Sequence, residues 1–218
     1  MYLKYIQIVN FRNLLSSKFQ FDEGANTIIG ENDAGKSNAI TAMRILLDSS
    51  YYYNVKRLKE TDFPFEFSEW KGHWIIISAF FDKLTEDDKS VEVCAEMIPE
   101  NENAEFLKSY IRCEGYNYGV VTVFILPNKR IRKALYEASG TDEFEKIRNN
   151  IKLTDYEFVY TARSQVDFTN PEVYKNIVGD IENKVYSDPD EYYGAAEPPV
   201  RCGESHLSGL TEPPHFIY

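Results

Sequence analysis

Short apolar runs separated by polar turns predict a protein that contains both strands and helices. Residues 3–11 and 17–22 carry loosely alternating apolar side chains, which indicates two strands joined through the polar turn at residues 10–13. Residues 74–82 are apolar at almost every position, as is typical of a central strand buried on both faces. Further strands are predicted at residues 91–98, 120–126 and 156–165. These segments predict an antiparallel sheet.

Three segments have the apolar spacing of helices, namely residues 129–138, 142–151 and 170–185. Thr141 and Asp142 are suitable caps for the second helix, and Asn170 with Pro171 opens the third. From residue 187 onward, proline and glycine become frequent. This change predicts one domain at residues 1–186 and a linker-like tail at residues 187–218.

The strongest chemical signal is residues 30–37, Gly-Glu-Asn-Asp-Ala-Gly-Lys-Ser, which fit the pattern G-x-x-x-x-G-K-[ST] and are called the phosphate loop below. The two glycines let backbone N–H groups approach phosphate oxygens. Lys36 offers a positive charge to the β- and γ-phosphates, and the Ser37 hydroxyl suits Mg²⁺. The predicted nucleotide-binding residues are Gly30, Glu31, Asn32, Asp33, Ala34, Gly35, Lys36 and Ser37.

The segments on either side of the phosphate loop support this interpretation. Residues 26–29 form a short β-branched apolar run that predicts a buried strand, and residues 39–47 carry an apolar stripe at helical spacing. A helix that begins within the loop directs its positive N-terminal end at the bound anion. The order strand, glycine loop, helix therefore predicts that ATP and Mg²⁺ are the ligands.

Composition narrows the class of protein. The 218 residues are 43% hydrophobic and 15% aromatic, which is sufficient for a folded core. A net charge of −11 argues against nucleic-acid binding through bulk electrostatics. Three widely spaced cysteines favour free thiols in a reducing compartment. With no apolar run of 18 residues and no signal-like start, we expect a cytoplasmic protein that does not enter a membrane.

Residues 2–48 resemble the opening of the ABC-type ATPases that include RecF, SMC proteins and the OLD (overcoming lysogenization defect) family. The resemblance is carried by Asn-Phe-Arg-Asn at residues 10–13, by the phosphate loop and by Asn38 directly after it. It implies an α/β P-loop NTPase fold, an ABC-ATPase-like lobe with a mixed core sheet plus an antiparallel side sheet. It also implies that Arg12, Asn13 and Asn38 lie at the nucleotide, and Asn38 suggests an OLD-like protein.

The resemblance also implies roles after the strand at residues 156–165. In such ATPases a strand with a polar exit returns to the nucleotide, so Gln165 is a candidate for sensing Mg²⁺ and the γ-phosphate, and Arg163 is a candidate neighbour. The family's signature motif and Walker B acid lie far downstream. His206-Leu207-Ser208-Gly209-Leu210 is similar to the signature, but Pro213 follows too soon for the required helix.

Three hypotheses remain open from the sequence. In the first, the chain is the ATP-binding lobe of a DNA-directed ATPase or ATPase-nuclease in DNA repair or phage defence. It then forms a homo-oligomer or needs a partner chain for hydrolysis, and it meets DNA only within the full assembly. In the second, it is a self-contained NTPase or kinase that uses Asp82, at the end of an apolar strand, as its Walker B acid. In the third, it is a non-catalytic, truncated interaction subunit.

Overall fold

A five-stranded antiparallel sheet with helices on both faces forms the body of the protein. The computed structural model describes residues 2–31, 33–48, 58–67, 69–83, 118–162 and 166–189. The strands are β1 (Tyr2–Phe11), β2 (Leu14–Gln20), β3 (Ile75–Asp82), β4 (Tyr118–Pro127) and β5 (Tyr156–Ala162). They lie in the order β2-β1-β3-β4-β5, and each neighbouring pair is antiparallel. The antiparallel sheet predicted from the sequence is confirmed.

The central strand β3 explains why residues 74–82 are apolar at successive positions. Its side chains alternate between two hydrophobic clusters, with Ile75 and Ile77 on one face and Ile76 on the other. All three isoleucines are fully buried. Because a strand covered on both faces has no solvent side, its sequence loses the polar alternation seen in β2.

The helices are α1 (Lys36–Leu47), α2 (Lys129–Tyr136), α3 (Thr141–Asn149) and α4 (Pro171–Val178). Helix α1 packs on one face of the sheet through a stripe of buried residues, Ala39, Ala42, Ile45 and Leu46. Helices α2, α3 and α4 cover the opposite face. Two short 3₁₀ turns, Glu60–Asp62 and Leu153–Asp155, precede residues that pack against the sheet.

The helix predicted at residues 170–185 is shorter than expected, because α4 ends at Val178 and Gly179 follows it. This glycine has φ +102°, and a Cβ there would lie 2.5 Å from the carbonyl oxygen of Val185. The chain then folds back, so that the amide of Ser187 donates to the carbonyl of Val178. A glycine that permits this close approach ends the helix although the apolar spacing continues.

The strand predicted at residues 26–29 is not formed in the structure. This segment has no regular secondary structure and no strand partner among the described residues, and Ile29 is 88% exposed. A strand needs a neighbour for its N–H and C=O groups, and the described part of the chain places none beside these residues. The β-branched sequence therefore has strand propensity without a partner.

Several predicted features lie outside the described residues. They are Asn32, the strand at residues 91–98, Arg163, Gln165 and the tail beyond residue 189, which includes His206 to Leu210. None of the helices in the described ranges is long and apolar enough to span a membrane.

Candidate phosphate-binding site

The phosphate loop leads directly into α1, and the start of this helix is built to accept an anion. Gly35 occupies the N-cap position with φ +90°, and no side chain caps the helix by a hydrogen bond. The first turn carries no acidic residue. The helix therefore presents unsatisfied N–H groups and its positive dipole end, the arrangement that binds phosphate at helix N-termini.

Gly35 is fixed by its surroundings as well as by its backbone conformation. A Cβ at this position would lie 2.9 Å from Oδ1 of Asn13 and 2.9 Å from Cδ2 of Leu14. Gly30 differs, since a Cβ there would meet nothing closer than Cβ of Ala34 at 3.5 Å. The second glycine of the motif is thus required by packing against the β1–β2 turn. The first has ordinary space around it.

The side chain of Lys36 folds back across the loop. Its Nζ donates to the carbonyl oxygens of Gly30 at 2.6 Å and Glu31 at 2.5 Å. An ammonium group has three N–H donors, so one remains for a phosphate oxygen. Ser37, the predicted Mg²⁺ ligand, lies in the first turn of α1 and is exposed. These groups fit a nucleotide's phosphates and an attached Mg²⁺.

The β1–β2 turn brings Arg12 and Asn13 against the loop. Nδ2 of Asn13 donates to the carbonyl oxygen of Asp33 at 3.0 Å, and Nδ2 of Asn38 donates to Oδ1 of Asn13 at 2.8 Å. An N–H of Arg12 donates to Oδ1 of Asn38 at 3.0 Å. The structure therefore brings these residues together, with the Asn38 amide bonded on both sides by the turn.

Asp62 extends this group of residues, and no motif in the sequence marks it as functional. Its Oδ1 accepts from Nε of Arg12 and from a terminal nitrogen of the same guanidinium, both at 3.0 Å. Its Oδ2 accepts from the amide of Lys59 at 2.9 Å. The side chain is 9% exposed. With these bonds the carboxylate is committed to protein donors and is unsuited to hold Mg²⁺.

Asp82 does not lie at the site, so the hypothesis of a self-contained NTPase that uses it is wrong. In the register of the sheet Asp82 pairs with Tyr2, whereas the opposite end of β1 leads into the turn that contacts the loop. The 10 residues of β1 separate these ends by about 30 Å. Asp82 instead accepts a hydrogen bond from Lys4 at 2.6 Å, which lowers the pKa of its carboxyl group.

The remaining ionisable groups in the described part of the chain do not form a metal centre. No cluster of three or more His, Cys, Asp or Glu side chains capable of holding a metal occurs among the described residues. Burial and the nearby charge of Arg148 lower the pKa of His73 to about 4. Asn128 caps the start of α2, with its Oδ1 accepting from the amide of Ile131.

This geometry defines the class: a lysine folded across a glycine loop, followed by an uncapped helix, is the phosphate site of a P-loop protein. The chain belongs to the AAA ATPase domain family, whose sequence pattern matches residues 1–192. The expected class of P-loop ATPase is confirmed by this family match. Family membership implies that the nucleotide is ATP.

Individual proteins are similar to only part of this chain. The "DNA replication and repair protein RecF" of Caldanaerobacter subterraneus subsp. tengcongensis is 39% identical over 87 residues, and that of Clostridium tetani is 32% identical over 95 residues. These matches cover 39% and 43% of this chain and 23% of each relative. The matched region thus spans about a quarter of the length of these relatives.

One solved structure is described as "Structural biochemistry of ATP-driven dimerization and DNA stimulated activation of SMC ATPases". It superposes with a TM-score of 0.40 and 13% identity, over 88% of this chain and 85% of that chain. The family assignment above does not rest on this likeness.

Proposed function

We propose that this chain is the ATP-binding lobe of a DNA-directed ATPase of the RecF-like kind. The observation that carries the proposal is the phosphate loop, with Lys36 folded across it and an uncapped helix behind it. In this proposal Lys36 and the N-terminal amides of α1 hold the β- and γ-phosphates, and the Ser37 hydroxyl ligates Mg²⁺. Bound Mg²⁺ supplies charge neutralisation on the phosphate oxygens.

We further propose that hydrolysis needs residues from outside this lobe. The described residues contain no metal-binding carboxylate cluster, and Asp62, which is linked to the loop, is bonded to Arg12 and Lys59. The unpaired segment at residues 26–29, with Ile29 88% exposed, provides an edge on which a further strand can pair. A second segment or a partner chain at that edge supplies the carboxylate that activates water.

The link to DNA is supported by the RecF relatives, which are DNA replication and repair proteins. The net charge of −11 argues against DNA binding by this chain through bulk electrostatics, so we propose that the DNA contacts lie on other parts of the assembly. The expectation of a role in phage defence, as in OLD-like proteins, rests partly on Asn38. Because the Asn38 amide is bonded to Arg12 and Asn13, that residue has a structural explanation that favours no particular subfamily.

The test is calorimetric titration of the chain with ATP and Mg²⁺, using Lys36→Ala and the matched variant Lys133→Ala. Lys133 is a surface lysine paired with Glu137 on α2. We expect Lys36→Ala to weaken ATP binding at least about 30-fold, since a charged hydrogen bond contributes about 2 kcal/mol or more. Lys133→Ala should bind as the parent does. Equal affinity in all three proteins contradicts the proposal and favours a non-catalytic role.

The dependence on other residues is tested by measuring ATP turnover against protein concentration. If two lobes complete one site, the rate per molecule rises with concentration, because the active species is a dimer. If another segment or a different chain completes the site, turnover stays near background at every concentration. A substantial rate per molecule that is independent of concentration refutes the need for residues from outside.

A further inference from the structure

Asp62 is the first member of a continuous set of polar contacts that ends in the phosphate loop. It lies in the 3₁₀ turn Glu60–Asp62, far from the loop in sequence, and the residue is 6% exposed. Its carboxylate binds the guanidinium of Arg12 through two nitrogens. Its carbonyl oxygen also accepts the backbone amide of Arg12 at 2.9 Å. One aspartate thus fixes both the main chain and the side chain of Arg12.

The backbone of Arg12 needs this support. Its φ of +53° lies in the left-handed region, where a residue with a Cβ costs about 1 kcal/mol or more. A strained turn keeps one geometry only if its surroundings enforce it. With its fork held by Asp62, Arg12 directs another N–H at Oδ1 of Asn38. The arginine can therefore place Asn38 only while Asp62 holds the guanidinium.

The contacts then continue into the loop. Asn38 is at the start of α1, and its Nδ2 donates to Asn13, whose own Nδ2 donates to the carbonyl of Asp33. Asp33 has φ +66°, so this carbonyl belongs to another left-handed residue. The path from Asp62 through Arg12, Asn38 and Asn13 to Asp33, called the Asp62 path below, therefore braces the loop and the helix start together.

We infer that Asp62 is a positioning residue for ATP binding, which acts on the phosphate loop through Arg12 and Asn38 without touching the nucleotide. This inference rests on the proposed function, because it concerns the same site. An aspartate is needed because one oxygen must accept two N–H groups of a guanidinium while the other accepts the Lys59 amide. An asparagine offers one acceptor oxygen and a donor NH₂ group.

The chain provides a matched control for the local turn. Asp155 ends the second 3₁₀ turn, in the sequence Lys-Leu-Thr-Asp, just as Asp62 ends Lys-Glu-Thr-Asp. Its Oδ2 accepts from the amide of Lys152 at 2.8 Å, and its carbonyl accepts from the amide of Asn128 at 2.8 Å. Among the described residues, no hydrogen bond or ion pair joins the Asp155 carboxylate to an arginine. Asp155→Asn therefore removes the same turn cap without entering the Asp62 path.

The experiment compares Asp62→Asn and Asp155→Asn in the full chain, by titration with ATP and Mg²⁺ and by hydrogen exchange of the amides at residues 33–38. We expect Asp62→Asn to weaken ATP affinity about tenfold and to speed exchange in the loop. Asp155→Asn should leave both values within about twofold of the parent. Unfolding midpoints of both variants show whether the comparison is made on folded protein.

A second variant, Asn38→Ala, tests whether Asp62 acts along the stated path. In a double-mutant cycle, Asp62→Asn and Asn38→Ala should be strongly non-additive, since each interrupts the same set of contacts. Additive effects, or an Asp62→Asn protein with parental affinity and loop exchange, overturn the inference. Lys36→Ala distinguishes failure of the positioning role of Asp62 from failure of the proposed ATP-binding function. If it abolishes binding while Asp62→Asn does not change it, only the positioning role fails. If the parent protein binds no ATP, the proposed function fails, and loop exchange alone decides the Asp62 path.

Discussion

Alanine substitutions at three glycines separate the reasons for which the phosphate loop needs glycine. Gly35→Ala combines two costs, because this residue has φ +90° and a Cβ would approach Asn13 and Leu14 to 2.9 Å. The left-handed backbone costs an alanine about 1–2 kcal/mol, and overpacking of this kind costs about 1–3 kcal/mol. We therefore expect Gly35→Ala to lower the free energy of unfolding by about 2–5 kcal/mol.

Gly24→Ala and Gly30→Ala are the controls. Gly24 has φ +103°, but no atom lies within 4 Å of the place that a Cβ would take, so its substitution isolates the backbone cost of about 1–2 kcal/mol. Gly30 lies outside the left-handed region, and a Cβ there makes an ordinary contact at 3.5 Å. Its substitution should change stability by less than about 1 kcal/mol.

Urea unfolding followed by tryptophan fluorescence measures all three, since both tryptophans of the chain, Trp70 and Trp74, pack against its hydrophobic core. The order of destabilisation should be Gly35→Ala, then Gly24→Ala, then Gly30→Ala. A Gly35→Ala protein no less stable than Gly24→Ala would refute the packing argument. It would show that Asn13 and Leu14 move away from the added Cβ at little cost.

Two further predictions concern residues away from the loop. His73 has a folded pKa of about 4, below its ordinary value of 6.5, so the unfolded chain binds more protons between those pH values. The free energy of unfolding should therefore fall by about 2 kcal/mol between pH 7 and pH 5 through this group, and urea titrations of His73→Gln should lack that part. Asp82→Asn should leave the affinity for ATP within about twofold of the parent, because Asp82 is bonded to Lys4 at the far end of the sheet. Titration with ATP and Mg²⁺ measures this affinity, and a larger loss contradicts the sheet register.

The sequence predicts the strands well where burial alone decides the pattern. The apolar run of β3 predicts a central strand, and β4, α2 and α3 fall close to their predicted ranges. Strand β2 begins earlier than predicted, at Leu14, because the turn after β1 needs only Arg12 and Asn13. That short turn depends on Arg12 having a left-handed backbone conformation. Because this conformation is uncommon for arginine, the residue type does not predict the turn.

The sequence predicts the residues of the site that are consecutive in the chain, but it does not predict those that reach the site from distant segments. The phosphate-loop motif consists of consecutive residues, 30–37, so it can be recognised in the sequence without knowledge of the fold. The contribution of Asp62 arises from a contact with Arg12 across 50 positions of sequence, which no local pattern contains. A signal exists in the repeated Lys-x-Thr-Asp turn at residues 59–62 and 152–155, but it marks the turn and not its partner. Asp82 is the opposite case. Its local sequence, an apolar strand that ends in an aspartate, resembles a Walker B segment, but the strand ends at the side of the sheet away from the phosphate loop.

The separation between the loop and its supports has a consequence for how the protein folds. The loop and α1 are contiguous in sequence, and the β1–β2 turn forms within a local hairpin, whereas Asp62, which holds that turn, lies 50 positions from Arg12. Closing long segments is slow compared with forming a helix turn. Helix α1 can therefore form early, while the loop acquires its fixed shape only after Asp62 has met Arg12. Competence to bind nucleotide then arises late in folding, after a contact between residues that are far apart in sequence.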